Sequence, residues 1–170
     1  LKTSLSSKLE HREFLNLSNK DPREDLANAL VGAIPKNGNV VAYNMGFENS
    51  VIKALAEQFP KLKKDLLDIS NRLVDPLPIF RAHVYDPQFK GSFSIKEVAP
   101  AILGKAASYE GMAVGDGSEA QSVYLRMIDE KTPAEDKEKH RKDLIDYCTK
   151  DTMGMVLLVD WLFKQANEEN

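Results

Sequence analysis

The chain has 170 residues, of which 42% are hydrophobic and 29% charged, values typical of a globular domain with its own core. Its formal net charge of −3 argues against a protein that coats nucleic acid through a global positive field. The one cysteine excludes a disulfide framework and a cysteine-rich zinc site. No stretch is recognised as a signal peptide or a membrane span, so we expect a cytoplasmic protein, and the initial Leu1 suggests a segment of a longer polypeptide.

The first part of the chain begins without periodicity, and we expect residues 1–20 to be a flexible or edge lead-in. A single domain is predicted to occupy residues 21–165. Its first helix begins at Asp21-Pro22-Arg23-Glu24, with aspartate as N-cap and proline at the first helical position. The next helix begins after residue 43 and is stopped by Pro60.

Two short apolar runs predict strands in this first part. Val40-Val41-Ala42-Tyr43 is a continuous apolar run, which is typical of a buried parallel strand. A second short strand is predicted at residues 72–74, after a short helix over about 62–69 and before Pro76 and Pro78. Strands that alternate with helices favour parallel pairing, so we expect an α/β fold that is rich in helix.

The second part of the chain is predicted to be mostly helical. Residues 81–93 have the composition of a loop, and Ser94-Ile95-Lys96-Glu97 is a capping box that opens a helix. Residues 104–117 form a long connection with four glycines, and connections of this length are often functional. Ser118 is predicted to cap the next helix, and Thr132-Pro133-Ala134-Glu135 to open the last helix or helix pair.

The last helix carries an apolar stripe with one ionisable member, Asp151. The residues that follow one another at helical spacing are Leu144, Tyr147, Cys148, Asp151, Met155, Leu158, Val159 and Leu162. We expect Cys148 to be buried as a small hydrophobe, but a buried carboxylate must be paired, hydrogen-bonded or bound to a metal. Tyr147 lies one helical turn before Asp151, so both polar groups can enter one cavity. The alternative is an aspartate that a lysine or a helix N-terminus satisfies, with Tyr147 as core.

A second polar group follows the predicted strands. Asn44 and Glu48 come directly after the first strand, and Asp75 ends the second. Because parallel strands present their carboxyl ends at one edge, these side chains are expected to converge there, with Tyr147 and Asp151 added by the last helix. Carboxylates from separate segments suit Mg²⁺ or Mn²⁺. The local alternatives are a turn at Asn44, a helix-dipole role for Glu48 and a turn at Asp75 before proline.

The order strand, Asn-x-x-Phe-acid, helix and finally Tyr-x-x-x-Asp resembles the DEDDy 3′–5′ exonucleases of the ribonuclease H-like superfamily. The chain more closely resembles an uncharacterised bacterial domain of that group, over residues 11–162. The shared runs are Asp21-Pro22-Arg23, Tyr43-Asn44-x-x-Phe47-Glu48, Arg72-Leu73-Val74-Asp75, Gly91-Ser92-Phe93-Ser94-Ile95-Lys96, Asp116-Gly117-Ser118-Glu119-Ala120 and Tyr147-Cys148-x-x-Asp151-Thr152. The resemblance implies a helix-rich ribonuclease H-like fold, present here as its C-terminal portion with a partial sheet.

The resemblance also implies a function, which is two-metal hydrolysis of phosphodiester bonds at the 3′ end of single-stranded DNA or RNA. Glu48 and Asp151 would be catalytic metal ligands and Asp75 a further ligand, for Mg²⁺ or Mn²⁺. Tyr147 would orient the attacking water, because an unperturbed phenol is protonated at neutral pH. The predicted substrate contacts are Asn44, Phe47, Ser94 and Lys96, although capping and solvation are the simpler roles for the last two.

The sequence departs from the exonuclease pattern at two places. Glu48 stands where those enzymes have aspartate, and the required Asp-x-Glu pair on a first strand is missing, since Asp136-Lys137-Glu138 lies in a charged helical turn. We expect that strand upstream of Leu1, so two ions are expected only where it is supplied, and this chain alone is expected to be inactive. The alternatives are a catalytically degenerate module for nucleic-acid binding or protein assembly, and a helix-rich interaction domain.

Overall fold

The computed structural model describes residues 8–168, so the predicted fraying of the first seven residues lies outside the described part. The chain divides into two compact units. The first comprises residues 8–14 and Lys20–Val84, and the second comprises Leu15–Asn19 and residues 85–168. The assignment of residues 21–165 to one ribonuclease H-like domain stays a prediction.

The first unit contains four helices and two short strands among its described residues. They are α1 (Arg23–Ala33), β1 (Val40–Val41), α2 (Gly46–Gln58), α3 (Lys63–Asn71), β2 (Leu73–Val74) and α4 (Leu77–His83). The two strands pair in parallel, with Val40 opposite Leu73 and Val41 opposite Val74. This pairing confirms the predicted parallel pair and the mixed, helix-rich α/β class.

The core of the first unit lies between its first three helices, and one face of the strand pair packs against it. The buried residues are Ala27, Ile52, Leu55, Ala56, Leu66 and Ile69. Val40 and Leu73 pack on this core, whereas Val41 and Val74 remain 38% and 40% exposed. The prediction of a fully buried strand is therefore wrong, because successive side chains of a strand point to opposite faces and only one face is covered here.

Helix α4 occupies residues that the sequence assigned to a turn and a loop. The prediction of loop from residue 81 is wrong as far as His83, where the helix ends. Pro76 and Pro78 lie at its start, where a missing N–H costs nothing because the first amides of a helix have no intrahelical partner. Phe80 is fully buried, and its ring centroid lies 6.1 Å from that of Tyr43. Helix α4 therefore packs against the turn that follows β1.

The second unit is built from three α-helices in its described part, α5 (Ile95–Leu103), α6 (Gly117–Ile128) and α7 (Ala134–Glu168). Helix α7 is a single helix of 35 residues that packs against both α5 and α6. Buried residues of this unit include Val114, Val123, Met127, Leu144 and Tyr147. Although α7 is long, no helix within residues 8–168 combines the length and the apolar character needed to cross a membrane.

The helix starts of the second unit follow the sequence signals with one correction. The hydroxyl of Ser94 accepts the backbone N–H of Lys96 at 3.4 Å, as the predicted cap of α5. Asp116, and not Ser118, caps α6 by accepting the N–H of Glu119 at 2.9 Å. The carboxylate of Glu119 in turn accepts the N–H of Gly115 at 2.8 Å. The cap therefore lies two residues earlier than predicted, because the aspartate is the better placed acceptor.

The apolar stripe of α7 is narrower than its sequence suggested. Leu144, Tyr147 and Leu158 are buried and Asp151 is half-buried, but Cys148 is exposed. The prediction of a buried Cys148 is wrong because neighbouring helical residues are about 100° apart around the axis. With Tyr147 directed into the core, Cys148 lies beside the covered face.

Candidate functional site

The edge of the strand pair brings Asn44 and Asp75 together. One oxygen of Asp75, Oδ1, accepts the backbone N–H groups of Asn44 and Leu77, each at 2.9 Å. The other oxygen, Oδ2, accepts the N–H of Met45 at 3.1 Å. Asn44 has a φ of 58°, a left-handed conformation that asparagine tolerates better than most residues. Asp75 thus holds the turn after β1 against the end of β2, as the parallel arrangement predicts.

The first turn of α2 lies next to this edge and carries two predicted site residues. Glu48 is exposed and is the acid of that turn, where the helix dipole favours a negative charge. Phe47 is 74% exposed, which is unusual for a phenylalanine and leaves its ring open to solvent. The structure therefore leaves Glu48 and Phe47 accessible, while Asp75 is already engaged by backbone donors.

The charges at this edge affect the pKa of Tyr43, which lies two residues after β1. Burial, and secondly the negative charge of Asp75, raise the pKa of Tyr43 to about 12, while Arg81 opposes the shift. The phenol is therefore neutral at physiological pH. Arg81 belongs to α4, so a cation from that helix acts on the same edge as the Asp75 carboxylate.

In the second unit, Asp151 is satisfied by a tyrosine that the sequence did not single out. The hydroxyl of Tyr109, which is 42 residues earlier in the chain, donates a hydrogen bond of 2.5 Å to Oδ1 of Asp151. The partner is therefore a phenol and not the lysine of the alternative interpretation. Tyr147, on the same helix as Asp151, places its ring centroid 6.4 Å from that of Tyr109.

Lys96 joins these two rings. Its ammonium lies 5.5 Å from the ring centroid of Tyr109 and 5.2 Å from that of Tyr147, within the range of a cation–π interaction. The same ammonium donates a hydrogen bond of 2.5 Å to the carbonyl oxygen of Gly115. Lys96, predicted as a substrate contact, is thus a member of an internal cluster. We call Lys96, Tyr109, Tyr147 and Asp151 the tyrosine–aspartate cluster.

Both tyrosines of the cluster are held in the protonated form. Burial is the largest cause that raises the pKa of Tyr109 above its ordinary value of 10.0, and the hydrogen bond to Asp151 acts in the same direction. Burial and then the charge of Asp151 likewise raise the pKa of Tyr147. A phenol that stays protonated can donate a hydrogen bond but cannot act as a base at neutral pH. The orienting role of Tyr147 stays a prediction.

A protein-family profile described as "Domain of unknown function (DUF2779)" matches residues 2–94, which is more than half of the chain. The chain belongs to this family. Comparison with curated proteins and with solved structures gave no match. The DUF2779 match includes Asn44, Phe47, Glu48 and Asp75, whereas Asp151 lies beyond it.

The metal ligands predicted for this DUF2779 protein all lie among the residues that the structure describes. Within residues 8–168, no group of three or more histidine, cysteine, aspartate or glutamate side chains could hold a metal ion. Glu48 and Asp75 belong to the first unit and Asp151 to the second, and their convergence on one cavity stays a prediction. Asp75 accepts three N–H donors, and a carboxylate offers about four lone-pair directions, so one remains.

No pattern in the sequence selects Tyr109 as a site residue. It lies in the glycine-rich connection of the DUF2779 chain, where no periodicity predicts which side chains turn inward. The one available signal was indirect. A half-buried aspartate on α7 needs a donor, and a tyrosine in a long connection can supply one.

Proposed function

We propose that this DUF2779 chain is part of an exonuclease-like domain of ribonuclease H-like fold that binds the 3′ end of single-stranded DNA or RNA in the cytoplasm. The observation that carries the proposal is the edge of the strand pair. Asn44 and Asp75 meet there after two parallel strands, and Glu48 follows in the next helical turn. This is the order in which the exonuclease pattern places its polar residues.

Phe47 is the proposed contact for a nucleobase. Its ring is exposed beside the turn at Asn44, and every base presents a flat face that can stack on an aromatic ring. Stacking of this kind contributes roughly 1–3 kcal/mol per base, which corresponds to about 5- to 150-fold in affinity. Ser94 and Lys96 are weaker candidates, because the hydroxyl of Ser94 caps α5 and the ammonium of Lys96 lies in the tyrosine–aspartate cluster.

Hydrolysis is proposed to depend on Mg²⁺ or Mn²⁺, with Glu48, Asp75 and Asp151 as ligands. This set is too small to hold two hydrated cations, and the Asp-x-Glu pair of the resemblance is not found on a described strand, since Asp136 and Glu138 lie on α7. We therefore propose that residues 1–170 alone hydrolyse nucleic acid weakly or not at all. A longer polypeptide that adds an acidic strand would complete the ligand set.

A second candidate is a catalytically degenerate module that binds nucleic acid or assembles with proteins. The observation in its favour is that the Asp75 and Asp151 carboxylates already accept protein donors. A carboxylate that is held in this way does not need a metal for its stability.

Binding and hydrolysis should be measured separately, on end-labelled single-stranded DNA and RNA with millimolar Mn²⁺. Fluorescence anisotropy should show binding that Phe47→Ala weakens about fivefold or more. Phe163→Ala removes another exposed phenylalanine, on α7, and should leave binding unchanged. Equal effects of the two substitutions, or no binding by the unmodified chain, would overturn the proposed nucleic-acid contact.

The second experiment compares the hydrolysis of these substrates by this chain and by a longer chain that carries an Asp-x-Glu strand. The longer chain should remove nucleotides from the 3′ end, Asp151→Asn should abolish this activity, and Tyr147→Phe should only reduce it. Full activity of residues 1–170 would contradict the assignment of ligands. A longer chain that binds but does not cleave would identify the degenerate module instead.

A further inference from the structure

The glycine-rich connection between α5 and α6 is tied to the helices beside it at three points. The ammonium of Lys150 donates a hydrogen bond to the carbonyl oxygen of Ala106. The hydroxyl of Tyr109 donates to Asp151, and the ammonium of Lys96 donates to Gly115. These three ties come from polar side chains, and they add to the apolar packing of the buried Val114 in the same connection. The connection is thus fixed near its start, its middle and its end.

We infer that Tyr109 is a positioning residue, which fixes the direction of the Asp151 carboxylate and makes the glycine-rich connection a supporting wall of the site. The inference rests on the proposed function only in giving Asp151 a functional role. The contact itself is a feature of the second unit alone.

The hydroxyl of Tyr109 restricts a rotation that is otherwise soft. The terminal torsion of an aspartate side chain has broad minima, so a carboxylate without partners samples many directions. The 2.5 Å hydrogen bond to Oδ1 restricts this freedom. It acts beside the Tyr147 phenol, which also interacts with the Asp151 carboxylate. Carboxylates that act in a site are held by such outer partners, whose loss typically weakens metal binding by about 10- to 100-fold.

The ring of Tyr109 is itself held in place. Lys96 contacts its face and that of Tyr147 while it donates to Gly115 at the end of the connection. A swing of Tyr109 away from Asp151 would break the cation–π contact and lose the hydrogen bond. Lys96 thus stabilises the orientation of the phenol, and the phenol stabilises the orientation of the carboxylate.

The test uses Tyr109→Phe, which removes the hydroxyl and keeps the ring. Tyr124→Phe is the matched control, because the Tyr124 hydroxyl also has a partner in the second unit and accepts a hydrogen bond from Asn16 at 2.9 Å. The readout is the ¹³C signal of the Asp151 carboxyl carbon in the full chain, first alone and then during titration with Mn²⁺. Urea unfolding followed by the fluorescence of Trp161, the single tryptophan, measures stability in parallel.

Tyr109→Phe should shift the Asp151 carbon signal, whereas Tyr124→Phe should not. If Asp151 binds Mn²⁺, the ion should broaden the ¹³C signal of its carboxyl carbon. In Tyr109→Phe the same broadening should need a roughly tenfold higher Mn²⁺ concentration than in the unmodified chain. An unchanged Asp151 signal in Tyr109→Phe, or an equal shift in both variants, would overturn the inference. Absence of Mn²⁺ broadening in the unmodified chain would count against the proposed ligand role of Asp151. The inference about Tyr109 would then still be decided by the metal-free spectrum.

Discussion

Removal of the Asp75 carboxylate should loosen the edge of the strand pair by an amount that the contacts allow us to work out. Asp75→Ala deletes three hydrogen bonds, from the N–H groups of Asn44, Met45 and Leu77. At roughly 1 kcal/mol net for each bond, the loss is about 3 kcal/mol. Water can replace the carboxylate at the exposed Asn44 amide, so we expect local opening to become easier by about 2 kcal/mol.

Asp75→Asn should destabilise this edge less than Asp75→Ala does, because it replaces only one of the two carboxylate oxygens. The side-chain carbonyl can still accept from Asn44 and Leu77, but the amide nitrogen faces the N–H of Met45 and cannot accept it. One hydrogen bond is lost, which should lower the free energy of local opening by about 1 kcal/mol. Asp25→Ala is the control, since it removes an exposed carboxylate from the first turn of α1 and should cost less than about 1 kcal/mol.

Amide hydrogen exchange in the first unit is the suitable assay, because it reports the opening of individual bonds. In Asp75→Ala, the amides of Met45 and Leu77 should exchange roughly 30-fold faster, the factor that corresponds to 2 kcal/mol. Unchanged exchange at these amides would refute the reasoning. A strong effect of Asp75→Ala on Mn²⁺ binding without faster exchange would identify Asp75 as a ligand rather than a brace.

Two further predictions concern the second unit. The raised pKa of Tyr109 means that its neutral form is favoured by folding, so this stabilisation is present below pH about 10 and is lost as the pH rises above it. Asp151→Asn should lower that pKa, which NMR titration of the assigned ring signals will show, and an unchanged pKa would contradict the contact. Gly154→Ala should stabilise the unit by roughly 0.5–1 kcal/mol, since the added methyl would lie 3.9 Å from Ala99 and a helix favours alanine over glycine. Urea unfolding that shows a loss of stability would mean that α7 packs more tightly on α5 than the structure indicates.

The parts of the fold that local chemistry determines could be predicted from the sequence. The cap at Ser94 and the two strands depend on short-range signals, and the parallel pairing follows from the alternation of strands with helices. Helix α4 was missed because proline gives the same signal for a turn as for the first turn of a helix. The exposure of Cys148 was missed because helical spacing gives the direction of a stripe but not its width.

Only one part of the candidate site could be predicted from the sequence, and the reason is different. Asn44 and Asp75 could be placed together because each follows a strand, and the order of strands fixes the edge. Tyr109 could not be paired with Asp151, because their contact depends on the path of a glycine-rich connection. Such a path is set by long-range contacts, here the hydrogen bonds from Lys96 and Lys150 and the burial of Val114, which leave no pattern in the local sequence.

The short segment Leu15–Asn19, which belongs to the second unit, has a consequence for biosynthesis. Asn16 donates to the hydroxyl of Tyr124 and Asn19 donates to Glu130, across 108 and 111 residues. During synthesis this segment emerges before Tyr124 and Glu130 and must wait for both before it finds its partners. Contacts at such sequence separation slow folding, because a long loop must close first. The second unit therefore cannot be completed during synthesis until Glu130 has been made, even though its segment Leu15–Asn19 precedes Lys20–Val84 of the first unit.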